Sequence, residues 1–167
     1  MSREHKVRKT ALRRTAITQK TPSEAASENR PKVAGYSGTP LWKKLGYRDG
    51  IVACLDGPPT GYAASLQLPP DVSVQWLRRP TPGIGFIHLF TISKSVLKTK
   101  LLAFRNTLAP SGVLWVSWPK KSAGVASDVS EDVVREVALP LGLVDIKVCA
   151  VDNVWSGLKL VIRKELR

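Results

Sequence analysis

Short apolar runs alternate along the chain with segments in which apolar residues recur every three or four positions. The uninterrupted runs predict strands buried on both faces of a sheet. Other segments alternate between apolar and polar residues, which is also typical of strands. The predicted strands are residues 51–55, 72–76, 84–91, 113–118, 144–151 and 158–164.

Helices are predicted from capping residues and from apolar spacing. Pro40 opens a first short helix that Gly46 ends. The longest helix has Ser93 as its cap and ends at residues 109–112, and the last begins at a capping box formed by Asp128 and Glu131. A short helix is predicted over residues 62–68, and the apolar face of the longest comprises Val96, Leu97, Leu101, Phe104 and Leu108.

The order of these elements predicts the fold class. Strands that alternate with helices favour a mostly parallel sheet covered on both faces, and right-handed crossovers narrow the topology to a doubly wound α/β fold. The last two strands, joined by residues 152–157, form a C-terminal hairpin that adds an antiparallel strand.

The charge of the chain divides it into two parts. There are 26 basic and 13 acidic side chains, a net charge of +13. Residues 1–32 have few large apolar groups and carry a net +6, which predicts a disordered basic tail, while residues 33–167 form the domain and carry +7. A basic protein of this kind is expected to have an anionic ligand or nucleic acid as its partner. For the tail, both nonspecific nucleic-acid contact and a solubilising role stay open.

Several classes of protein are excluded by composition. The apolar runs are too short to span a membrane, and the N-terminus lacks the apolar stretch of a secretory signal. Cys54 and Cys149 form neither a disulfide framework nor a metal-ligand spacing, so we expect a cytoplasmic protein without a metal. His88 lies in the middle of a predicted strand, and without a nucleophile motif beside it we interpret it as a core histidine with satisfied hydrogen bonds.

The order of elements resembles the class I methyltransferase variant of the Rossmann fold over residues 36–167. Its most typical pieces are the turn at residues 108–114 and the closing hairpin. Three blocks of sequence also resemble an uncharacterised bacterial domain family of unknown function. They are residues 35–41, residues 114–121, and residues 128–144 continuing into 155–164. The resemblance implies a methyltransferase-like fold and assigns no activity.

In such a fold, ligands bind at the carboxyl ends of the strands. Asp56, Gly57 and Gly61 follow the first strand, where a cofactor-binding methyltransferase would have a glycine-rich loop. Here Pro58 and Pro59 replace glycines and remove backbone donors, and no Gly-x-Gly is present. These residues are the candidates for cofactor binding, although we expect no cofactor and keep S-adenosylmethionine as the alternative.

The ends of the later strands carry cations and an aromatic residue. Arg78 and Arg79 stand where the resemblance implies an acidic residue for the ribose hydroxyls, and an arginine pair suits phosphate or carboxylate. Lys120 and Lys121 follow the fourth strand and could hold an anion. For both pairs the alternative is that the side chains are simply solvated at the surface and bind no ligand. Trp155, in the predicted hairpin loop, would either stack on a base or cover the sheet end.

Our main interpretation is a noncatalytic binding module on a degenerate methyltransferase-like scaffold, with an anion-seeking carboxyl edge. One alternative is an S-adenosylmethionine-dependent methyltransferase with an atypical cofactor loop. The other is nucleic-acid binding through the basic tail. A basic tail is compatible with either domain function.

Overall fold

The computed structural model describes residues 38–167, so the prediction of a disordered tail over residues 1–32 lies outside the described residues. The strands are β1 (Ile51–Asp56), β2 (Val74–Leu77), β3 (Ile84–Phe90), β4 (Leu108–Pro119), β5 (Leu143–Ala150) and β6 (Trp155–Ile162). The α-helices are α1 (Leu41–Leu45), α2 (Tyr62–Ser65), α3 (Lys94–Thr107) and α4 (Glu131–Ala138). Within residues 38–167, no helix combines the length and the apolar character needed to cross a bilayer.

The six strands form one sheet in the order β2-β1-β3-β4-β6-β5. Neighbouring strands from β2 to β4 are parallel, and β6 lies antiparallel between β4 and β5. The structure confirms the predicted doubly wound, mostly parallel sheet with an antiparallel C-terminal strand. This follows from the alternation of elements, since a parallel neighbour requires a crossover connection.

Each face of the sheet has its own core. On one face, buried residues of α3 and α4 such as Leu97, Leu101 and Val134 pack against the strands. The other face is covered by α1, α2 and the adjoining loops, which place Leu45 and Tyr62 in a cluster with aromatic residues of the sheet. That cluster includes Phe86, Phe90 and Trp115. The Trp115 indole nitrogen donates to the main-chain oxygen of Leu45 at 2.8 Å, which ties α1 to the sheet.

The two longer helices show how far local signals determine a helix start. Ser93 caps α3 as predicted, because its hydroxyl accepts a hydrogen bond from the Val96 amide. The predicted start of the last helix at Asp128 is wrong. Ser130 caps α4 through the Val133 amide, and the Asp128 carboxylate instead accepts from the Lys94 amide, at 2.6 Å, at the start of α3. Asp128 therefore caps the helix that lies beside it in space.

Some helix and strand boundaries differ from those predicted. β4 begins at Leu108 rather than at residue 113, and its register with β3 shifts between Ile84 and Phe86, so the predicted turn belongs to the strand. Val96 is 43% exposed and lies outside the buried face of α3. Pro40 precedes α1 with extended ψ and is not its first helical residue.

Trp155 is the first residue of β6 and does not lie in the hairpin loop. The Val151 amide donates to the Trp155 carbonyl at 2.9 Å, so the turn is tighter than the sequence predicts.

Candidate functional site

The carboxyl edge, at which β1 to β4 end, contains the crevice where doubly wound folds bind ligands. The chain passes from β1 to β2 on one side and later places β3 on the other side of β1. Such a reversal opens a crevice beyond the ends of the two strands that flank it. Asp56 ends β1 opposite Leu89 of β3, so the loop after Asp56 lies at this crevice.

Asp56 is engaged in an ion pair. The Lys100 ammonium of α3 lies 2.6 Å from its carboxylate, whose side chain is 21% exposed. Lys100 reaches it from the helix that covers one face of the sheet. The carboxylate is thus directed to α3, and a ligand hydroxyl would compete with an ammonium for it.

Gly57 brings the loop onto the end of β3. Its φ of +64° is in the left-handed region, and a Cβ atom there would lie 2.7 Å from the main-chain oxygen of Phe90. The main chain of the loop therefore passes close to the end of β3. Gly61, with a φ of +77°, precedes the four-residue helix α2 and has open space around it.

The residues of this loop do not fit an adenosyl cofactor held as the resemblance implies. The loop has room only for glycine at position 57, because a Cβ atom there would lie 2.7 Å from the Phe90 carbonyl oxygen, and Pro58 and Pro59 have no N–H to donate to a ligand. In addition, β2 is followed by Arg78 and Arg79 instead of an acidic residue for ribose hydroxyls. These departures concern three separate contacts that such a ligand would need.

The two predicted cation pairs lie at the same edge but far apart. Arg78 and Arg79 are exposed after β2, and Lys121 is exposed in a 3₁₀ turn after β4. Lys120 is less free, because its ammonium donates to the main-chain oxygen of Asp152 at 2.5 Å. β2 and β4 are separated by two strands, a distance of about 14 Å, so the two pairs do not converge on one small anion.

Trp155 packs against the crevice from the β6 side. Its ring meets that of Phe90 edge-on, with centroids 5.3 Å apart. The Asp152 carboxylate accepts hydrogen bonds from the Val154 and Trp155 amides at 2.7 and 2.6 Å, which holds the turn before β6. The contact with Phe90 corresponds to the covering role, and stacking on a base stays a prediction.

A chain of buried hydrogen bonds crosses the aromatic core. Tyr47 and Tyr62 share a hydrogen bond of 3.1 Å between their hydroxyls, and Tyr62 also bonds His88 Nδ1 at 2.8 Å. The other ring nitrogen, Nε2, lies 2.8 Å from the Ser117 hydroxyl. Burial lowers the pKa of His88 to about 3, so the imidazole is neutral at ordinary pH. His88 is thus a satisfied core histidine, as predicted.

The sequence contains no local signal for this network as a whole. Its members lie 15 to 29 residues apart along the chain. Only the adjacent pairing of β3 and β4 brings His88 and Ser117 together.

A pocket of about 620 Å³ opens at the other edge of the sheet, where β1, β3 and β4 begin. None of its lining residues was a predicted site residue, because the order of elements points to the carboxyl edge alone. Within residues 38–167, no group of three or more histidine, cysteine or acidic side chains could hold a metal ion. Both Cys54 and Cys149 are buried as free thiols.

Comparison with known proteins gives matches in structure alone. No protein-family model and no curated protein matches the chain, so the resemblance to a bacterial domain family stays a prediction. A SAM-dependent methyltransferase from Aquifex aeolicus matches with a TM-score of 0.52 and 14% identity, over 73% of this chain and 88% of that one. A protein from Pyrococcus horikoshii OT3 matches with a TM-score of 0.52 and 14% identity, over 74% and 87%.

An O-methyltransferase from neocarzinostatin biosynthesis is similar as well. Its structure holds S-adenosylmethionine and 2-hydroxy-5-methyl naphthoic acid. The TM-score is 0.53 at 17% identity, and the match covers 72% of this chain and half of that protein. At these identities the likeness concerns the fold alone. Residues 38–167 thus have a methyltransferase-like Rossmann fold, which a SAM-dependent methyltransferase shares.

Proposed function

We propose that the chain is a noncatalytic binding module on a methyltransferase-like scaffold. The observation that carries this proposal is the close approach of the loop to the end of β3, where a Cβ atom at Gly57 would lie 2.7 Å from the Phe90 carbonyl oxygen. In a doubly wound fold the ligand lies above these strand ends. Here the loop after β1 approaches those ends closely and restricts that space, and Lys100 already binds the carboxylate of Asp56.

The charge distribution supports an anionic ligand. Residues 33–167 carry seventeen basic and ten acidic side chains. Among the described residues, ion pairs engage three of the basic ones, Lys94, Lys100 and Arg135. The exposed cations Arg78, Arg79 and Lys121 lie along the carboxyl edge at a spacing of about 14 Å between strands β2 and β4. This spacing suits an extended polyanion such as nucleic acid better than a small anion.

The edge is tested by reversing the charge of Arg78 and Arg79 together. Binding of a single-stranded DNA of about twenty nucleotides is expected to weaken at least roughly ten-fold at low salt. The slope of log affinity against log salt should fall by about 1.4, because each arginine that neutralises a phosphate of a single strand contributes about 0.7. Fluorescence anisotropy across a salt series measures both quantities.

The matched control reverses Arg163 and Lys164, two exposed adjacent cations beyond the end of β6. It changes the net charge equally and lies at the opposite edge of the sheet. Equal losses in the two variants would show that only net charge matters and would remove the edge site. A third variant without residues 1–32 tests the tail, whose contribution should disappear with it.

The second candidate is an S-adenosylmethionine-dependent methyltransferase. The fold comparison favours it, since an enzyme of this class shares the fold over 73% of the chain. The carboxylate of Asp56 at the end of β1 is also an acceptor in the crevice. The loop geometry described above favours the binding module instead.

Calorimetric titration of the chain with S-adenosylhomocysteine decides between the two candidates. The closed crevice predicts no measurable binding up to about 1 mM ligand, a free energy weaker than roughly 4 kcal/mol. Micromolar binding would overturn the proposal. In that case Asp56→Asn, which keeps the side chain's size, should abolish binding if the ligand lies in this crevice.

A further inference from the structure

The pocket at the amino edge, where β1, β3 and β4 begin, has the size of a small-molecule site. Its volume of about 620 Å³ falls within the range of roughly 300 to 1,000 Å³ that such sites occupy. Ile51, Phe86 and Val113 supply apolar lining from three adjacent strands. Gly83 and Gly85 also line it, and a Cβ atom at either position would meet no atom within 4 Å among the described residues, so there is free space beside the chain.

The charged side chains of this pocket are all cationic. Arg48 and Lys159 line it, and none of its fourteen lining residues is acidic. Lys159 projects from β6 in the middle of the sheet, opposite Trp115 of β4 and Lys147 of β5. Within residues 38–167, neither Arg48 nor Lys159 has a carboxylate within 4 Å.

The positive charge of Lys159 is energetically unfavourable at this position in the sheet unless an anion lies close to it. Lys147 stands directly opposite, and its ammonium is held by the main-chain oxygen of Lys44 at 2.9 Å. Like charges opposite each other in a sheet are destabilising, and partial burial of a charge without a counter-charge adds to that cost. Burial and the Lys147 charge lower the pKa of Lys159, in agreement with its surroundings. An anion in the pocket would offset both effects.

We propose that the amino-edge pocket binds a small amphipathic anion, a carboxylate or phosphate monoester with an apolar body. The anionic group would bind Lys159, with Arg48 as the second cation of the pocket. The apolar body would lie against Ile51, Phe86 and Val113. This site is on the opposite edge from the loop of Asp56, so it does not rest on the function proposed for the carboxyl edge.

Titration of the full chain with 4-phenylbutyrate and with its neutral amide tests the proposal. The two probes share an apolar body and differ in charge. The carboxylate is expected to bind at least roughly ten-fold more tightly than the amide. Lys159→Met removes the ammonium and keeps the aliphatic stem, and it should abolish this preference. The control Lys164→Met makes the same charge change outside the pocket and should leave both affinities unchanged.

Two further anions extend the test: octanoate has a different apolar part, and phenyl phosphate has a different anionic group. If none of the three anions binds at about 10 mM, or if all bind Lys159→Met as tightly as the unchanged chain, the proposal is overturned. Val113→Phe is a second variant, which fills the pocket without changing charge and should weaken the anions. Circular dichroism and urea unfolding verify that each variant is folded, so that loss of binding can be assigned to the pocket.

Discussion

Replacing Gly57 with alanine is expected to lower the free energy of unfolding by roughly 2 to 4 kcal/mol. A left-handed φ costs a non-glycine residue about 1 to 2 kcal/mol. The added Cβ would also lie 2.7 Å from the Phe90 carbonyl, which is main chain at the end of β3, a strand paired on both sides, and cannot move aside cheaply. Urea unfolding at neutral pH, followed by tryptophan fluorescence, measures the loss.

Gly61→Ala is the matched control for this variant. Gly61 has a φ of +77°, close to that of Gly57, but an added Cβ would meet no atom within 4 Å among the described residues. Only the backbone cost of about 1 to 2 kcal/mol is therefore expected. If the two substitutions were equally destabilising, the loop would not be seated on β3. A closed crevice would then be contradicted, and the methyltransferase candidate would be favoured.

Acidification from about pH 7.5 to pH 5 is expected to lower the free energy of unfolding by about 2 kcal/mol through His88 alone. The folded chain keeps this imidazole neutral, because burial lowers its pKa to about 3 from an ordinary value of 6.5. In the unfolded chain the same residue takes up a proton as the pH falls below 6.5. Stability is thus lost as the pH falls from about 6.5 towards 3, and it is fully present above 6.5.

His88→Gln removes the titration and retains groups that can donate to and accept from Tyr62 and Ser117. This variant is expected to be less stable at pH 7.5 but to lose about 2 kcal/mol less between pH 7.5 and pH 5. The pKa values of Asp49 and Glu136 are lowered by hydrogen bonds from Ser73 and from Lys94, so these carboxylates stay ionised over this range. Parallel pH dependences of the two proteins, measured by urea unfolding, would contradict the role assigned to His88.

The buried hydrogen-bond network around His88 also helps to fix the positions of α1 and α2 on the face of the sheet that carries the aromatic core. Tyr47 follows α1, Tyr62 begins α2, and His88 and Ser117 belong to adjacent strands. No buried side-chain nitrogen or oxygen among the described residues lacks a hydrogen-bond partner. A shift of α1 or α2 would leave a hydroxyl or an imidazole unpaired in the core, at a cost of about 1 to 3 kcal/mol per group.

The order of strands and helices, and through it the fold class, follows from local patterns in the sequence. Apolar runs and short-range capping are local properties, so they can be recognised without knowledge of the tertiary structure. For this reason the Ser93 cap of α3 and the end of α1 at Gly46 were predictable. The position of Asp56, Gly57 and Gly61 at the carboxyl edge followed from the same order, because all parallel strands end at one edge.

Contacts between residues distant along the chain depend on the tertiary arrangement of the strands and helices. Asp128 caps α3 and not α4, because the free amide of Lys94 at the start of α3 lies within hydrogen-bond distance of its carboxylate. Position 57 requires glycine because β3 is the neighbour of β1, which brings the Phe90 carbonyl close to the loop. Strand order likewise separates Arg79 from Lys121, and it places Lys159 at a pocket whose described lining contains no acidic side chain. Such contacts join segments 30 or more residues apart, and their energies come from packing and charge that no local pattern records.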